Sequence, residues 1–274
     1  MEVGKILSRA HELPKIPKVV RELMEMVNRD DVEMSELSRT ISLEQVVSAR
    51  VIRLANSAHF GRGRSVSSVD DAVIRLGLEP LRTLIVASAL VSAFPYVEVI
   101  DLGKFWEKTF EIALLSKGLA QSCKINPNDA FTAGMLHNIG DLMIYTIMPD
   151  KVAEIDEKIE QGMQKPDAQK AVIGANSAEL GAKLAEGWKF SPELVHAISE
   201  QYHPKVDNIF SPLAATIRLA NAIDEQWDDL PNEDAKPVWI AEQLESTILS
   251  LDDRVILFVD EIRGSGKEMA QLVI

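Results

Sequence analysis

The stretch "FTAGMLHNIGDLMIY", residues 131–145, sets His137, Asn138 and Asp141 inside an otherwise apolar run. Imidazole and carboxylate are side chains that can hold a divalent ion and bring it to chemistry. Phe131, Met135, Leu136, Ile139, Leu142, Met143 and Tyr145 recur at spacings of three and four, which predicts one helix with a broad buried stripe. His137 and Asp141 then share a face. Polar groups in such a stripe need partners or a ligand. With His203 as a third donor the pair could hold a weakly bound metal. The plainer alternative is three separate polar residues satisfied by backbone or water. His59 stands in an irregular loop with Arg62 and Arg64, where an anion or a partner could be met, although a solvated loop is the simpler expectation. Cys123 reads as a small core residue.

The elements that must position these groups read as helices. Residues 17–28, 43–56 and 78–94 carry apolar side chains at helical spacing. Asn126-Pro127, Ser191-Pro192 and Ser211-Pro212 each place a capping side chain before a proline suited to the first turn. Ser68 followed by Asp71 resembles a capping box, and Gly77 and Gly187 are expected stops. Three segments interrupt the pattern: 57–68, 160–177 and the acidic 228–237, which reads as a connection to a final helical extension. The expected class is all-α.

The chain of 274 residues is 46% hydrophobic, enough for one large core or two smaller ones. Its longest apolar run, 84–94, is too short to span a bilayer, and residues 1–13 lack the layout of a signal peptide. A single cysteine excludes an intrachain disulfide and fits a reducing interior, so a cytoplasmic location with no membrane partner is expected. The net charge of −13 argues against broad nucleic-acid binding. That charge is uneven: Arg50, Arg53, Arg62, Arg64, Arg75 and Arg82 make 50–82 basic, while 224–261 is acidic. Solvated helix faces are the plain reading of both.

Two separated segments resemble one family. "LANSAHFGRGRSVSSVDDAVIRLGLEPLRTLIVASAL", with Asn56-Ser57, the glycine loop and "AVIRLG", is similar to the N-terminal signature of the HD-related output domain (HDOD). "LPKIPKVVRELMEMV" resembles the family's first helix. "AFTAGMLHNIGDLMI" resembles the central helix of the HD superfamily of metal-dependent phosphohydrolases, whose motif there is His-Asp. The resemblance covers residues 13–225. It implies a multi-helical fold in which an N-terminal helical bundle, 1–98, packs on an HD-like bundle, 99–228; the acidic connection at 228–237 makes 229–274 the C-terminal extension. It further implies a bacterial regulatory or signal-transduction protein.

By the same resemblance the metal site is degenerate. His137 matches the motif's His, but Asn138 replaces its Asp with a neutral carbonyl. Lys108 stands where the first His is implied, Asn221 where the last Asp is implied, and Asn176 and Tyr202-His203 near further His positions. Asp141 occupies a place where some active relatives carry Lys. These changes all weaken cation binding, so no metal and no cofactor are expected. Lys108 is expected to replace the ion, near Asp141, Asn138 and Asn221. The implied function is non-catalytic, through a protein partner, with an oligomer possible. The alternatives are a phosphohydrolase with unconventional ligands, and a sensor that takes a nucleotide or other small anion in the former active-site cavity.

Overall fold

Capping side chains start the helices where expected. Asn126 accepts from the Asn128 N–H, Ser191 from Leu194 and Ser211 from Ala214, each with proline in the first turn. The structure, a computed structural model, describes residues 16–274 except 28, 30, 58–59, 62–64, 204, 207–208 and 253. For 205–206 and 209–210 it describes the backbone alone. The chain divides into two units, one running to Pro95 and rejoined by Glu268–Ile274, the other spanning Tyr96–Lys267.

The first unit contains α1 (Lys18–Val27), α2 (Met34–Ser42), α3 (Gln45–Ala55), α4 (Val69–Leu76) and α5 (Leu78–Ala93). The helix expected over 43–56 starts at Gln45, because Glu44 turns the chain and accepts from the Val47 N–H at 2.5 Å. α5 is buried on nearly every side, Leu81 and Leu84–Val91 included, and α1, α3 and α4 pack around it. Asn56 closes the loop after α3: its amide donates to Val66 O and its carbonyl accepts from Val66 N–H, both at 2.8 Å. Ser68 accepts from the Asp71 N–H, but Asp71 takes the Ser68 hydroxyl instead of completing a reciprocal box. No single helix among the described residues is long and apolar enough to cross a membrane.

The second unit runs through α6 (Leu102–Gln121), α7 (Pro127–Leu136), α8 (Ile139–Ile147), α9 (Pro149–Glu160), α10 (Lys165–Ile173), α11 (Ser177–Gly187) and α12 (Pro192–Glu200). A two-residue strand pair, β1 (Lys205–Val206) and β2 (Ile209–Phe210), leads to α13 (Pro212–Gln226). α14 (Ala235–Glu242), α15 (Leu244–Leu249) and α16 (Arg254–Ile262) follow, and α17 (Ser265–Val273) begins here and passes into the first unit at Glu268. Among the described residues the protein is all-α apart from that strand pair. Ile112, Leu115 and Leu119 of α6 meet Leu219 and Ile223 of α13, and Ile240, Leu249, Val255 and Val259 close on the same cluster. Each such buried aliphatic side chain contributes about 1.5–3 kcal/mol. Buried Glu111 accepts from the Gly264 and Gly266 N–H groups, both at 2.8 Å, which fixes the turn into α17.

Two further expectations change, and one stop holds. The run 131–145 is two helices broken at His137-Asn138, with a glycine on each side of the break packed closely against a neighbouring helix. A Cβ on Gly134 would stand 2.6 Å from Ala113 Cα, and one on Gly140 would stand 1.9 Å from Ser177 O. Gly187 ends α11 as expected, and the residue with positive φ that follows is Lys189, at 63°. The interruption at 160–177 contains α10, with Pro166 in its first turn and Gly174 as its left-handed cap.

Candidate functional site

α7 and α8 are held between α6 and α11 by those close glycine contacts, which places the His137-Asn138 turn in the interior. His137 is 6% exposed, and its Nδ1 lies 2.6 Å from Gly134 O. Nδ1 therefore donates, and Nε2 keeps a lone pair with no hydrogen-bond partner among the described residues. Burial pushes its pKa down to about 4, against lesser opposing effects of the Gly134 carbonyl and Asp141. The ring is neutral at pH 7. Gln201 Nε2 donates to the His137 carbonyl at 2.8 Å and fixes the turn from α12.

Asn138 donates to Thr109 Oγ1 on α6 at 2.8 Å, while its buried Oδ1 has no partner among the described residues. Asp141 is sealed in, and both its oxygens are occupied. Oδ2 lies 2.7 Å from Lys165 Nζ and Oδ1 lies 2.8 Å from Gln169 Nε2. The Gln169 carbonyl accepts from Ser177 N–H at 2.8 Å, and the Ser177 hydroxyl lies 3.1 Å from the Tyr202 hydroxyl. One hydrogen-bonded chain thus joins α8, α10, α11 and the turn after α12.

The electrostatics follow from that chain. Desolvation acts against the Lys165 ammonium, but the Asp141 charge more than offsets it and raises the pKa. Burial, aided by Asp141, pushes Tyr145 up to about 12. Burial also raises Tyr202. The Lys165 side chain is 43% exposed against 4% for Asp141, so water reaches the cation while the anion is dry.

The structure redistributes the expected residues. Lys108 does not meet Asp141: its Nζ lies 3.5 Å from both Asp224 and Glu225, half exposed on α6. The cation at Asp141 is Lys165, and the nearby acidic pair on α13 accounts for Lys108. Asn221 donates back to Ile217 O of its own helix at 2.9 Å. Asn176 caps α11 in a reciprocal box with Glu179. His203 is exposed and is tied through its backbone to Glu200 O. His59, Arg62 and Arg64 lie outside the described residues. Sequence reasoning missed Lys165 and Gln169, whose only local signal was a proline-started, glycine-ended segment.

The divalent ion implied by the HD resemblance does not fit these side chains. Among the described residues no group of three His, Cys, Asp or Glu is placed to hold a metal. An ion at Asp141 would have to displace Lys165 and Gln169, and would find a neutral Asn138 where the motif has a carboxylate.

Comparison with known proteins bears on the family and the fold. A family model described as the HDOD domain matches residues 13–204. A solved structure from Shewanella amazonensis SB2B, of a presumed phosphohydrolase, is 38% identical, with 98% of each chain covered and a TM-score of 0.86. An HDOD domain protein of unknown function from Geobacter sulfurreducens is 24% identical, with 99% of this chain and 98% of that one covered and a TM-score of 0.80, a likeness of fold. An uncharacterized protein of Treponema pallidum (strain Nichols) is 24% identical over 224 residues, 80% of this chain. The chain spans 43% of the length of that curated relative.

Proposed function

The chain belongs to the HDOD family, whose fold is related to the HD phosphohydrolases, and from that premise we propose a non-catalytic signal-transduction module that acts by binding a protein partner. The observation that carries this reading is the occupation of both Asp141 oxygens by Lys165 and Gln169. In an HD hydrolase an anionic ligand holds an ion that activates water. Here the motif's carboxylate position is the neutral Asn138, and the carboxylate three residues on, Asp141, serves an internal ion pair. A helical scaffold altered in this way still presents its surface, and one fold can serve enzymes and non-enzymes alike. The competing reading comes from the name of the Shewanella relative.

A hydrolysis assay separates the two. Purified protein supplied with Mg²⁺, Mn²⁺, Fe²⁺ or Zn²⁺ is expected to leave p-nitrophenyl phosphate and its bis-ester intact. Turnover that is abolished both by chelator and by His137→Ala would overturn the proposal.

A further inference from the structure

Arg50 of α3 is 6% exposed. A guanidinium this deep ordinarily lies against a carboxylate, since an uncompensated buried charge costs several kcal/mol. No acidic side chain among the described residues pairs with it. Its contacts come from one nitrogen: Nη1 reaches Ser88 O at 3.3 Å and Ser92 Oγ at 3.2 Å on α5. Both bonds are long for charged donors. The carbonyl end of α5 accounts for Nη1 and offsets part of the charge through the helix dipole. It leaves the other edge of the guanidinium unaccounted for.

That edge, Nε with Nη2, is the parallel pair of donors that fits two oxygens of a carboxylate or phosphate. Neither nitrogen has a hydrogen-bond partner among the described residues. Beside the accepting carbonyl, the Ser88 hydroxyl is fully buried and also lacks a partner. The surrounding charge favours an anion. Burial bears most strongly against the Arg50 charge and Arg53 adds to that, with Glu44 acting in the opposite sense.

We propose that the Nε–Nη2 edge of Arg50, where α3 crosses the last turns of α5, is a binding site for a small oxyanion with two coplanar acceptor oxygens, a phosphate or a carboxylate. The site lies in the other unit from Asp141 and does not depend on the chemistry there.

The test is thermal unfolding of the full chain with inorganic phosphate, with acetate and with chloride at one ionic strength. Wild type is expected to gain a saturating rise in Tm of at least ~2 °C with phosphate, acetate or both over chloride. The two arms identify which oxyanion is preferred. Arg50→Gln should abolish the rise. Arg50→Lys, which keeps the charge without the fork, should remove most of it and carries the test if Arg50→Gln does not fold. Arg39→Met, which removes an exposed positive charge elsewhere, should leave the rise unchanged and so separates binding from general salt stabilisation. No oxyanion-specific rise in wild type, a rise retained in Arg50→Gln, a full rise retained in Arg50→Lys, or an equal loss in Arg39→Met would each overturn the site.

Discussion

Replacing Lys165 by Met is expected to cost the folded protein about 2 kcal/mol at pH 7. Breaking a buried ion pair from one side typically costs about 3–5 kcal/mol, because the remaining charge is left dry and unpaired. Water already reaches the Lys165 ammonium, which reduces that figure. Asp141, by contrast, is 4% exposed in its side chain and would keep only Gln169. Asp141→Asn removes the charge while leaving an acceptor for Gln169. In the double variant Lys165→Met with Asp141→Asn, the loss should fall short of the sum of the single losses by about 1 kcal/mol or more. Urea unfolding of the four proteins measures this coupling. Strictly additive losses would mean that the pair does not hold α10 to α8.

The second large effect is acid destabilisation through His137. In the unfolded chain its imidazole titrates near 6.5, and in the fold burial holds it at about 4. The unfolded state therefore takes up the proton first. The stability that depends on a neutral ring is complete above pH 6.5 and is lost as pH falls towards 4. Between pH 7 and pH 5 this loss is about 2 kcal/mol. His137→Gln removes the titration, so its stability should fall less than that of wild type over the same range. Carboxylates common to both proteins cancel in the difference. Parallel curves for the two proteins from pH 7 to pH 5 would show that the ring is not buried as described.

Local chemistry was legible in the sequence and distant chemistry was not. Capping at Asn126, Ser191 and Ser211 depends on residues two or three places away, and each formed as read. Asn176 followed by Glu179 carried the same local signature, which the family resemblance obscured by pointing to a ligand position. The break at His137-Asn138 left no trace in the periodicity, since apolar residues run on through it. Nor could the sequence show that Ala113 and Ser177, on other helices, leave no room for a Cβ at 134 and 140. The need for a cation at Asp141 could be argued from the residues themselves. The identity of that cation could not, because Lys108 and Lys165 differ only in where their helices lead.

The central claim is that an ammonium, and not a metal, neutralises Asp141. Crystals grown with Mn²⁺ and measured for anomalous scattering test it most directly. The expected map places Lys165 Nζ against Asp141 Oδ2, with no anomalous peak near His137 or Asp141. A peak within bonding distance of His137 Nε2 and Asp141, with Lys165 displaced, would contradict it.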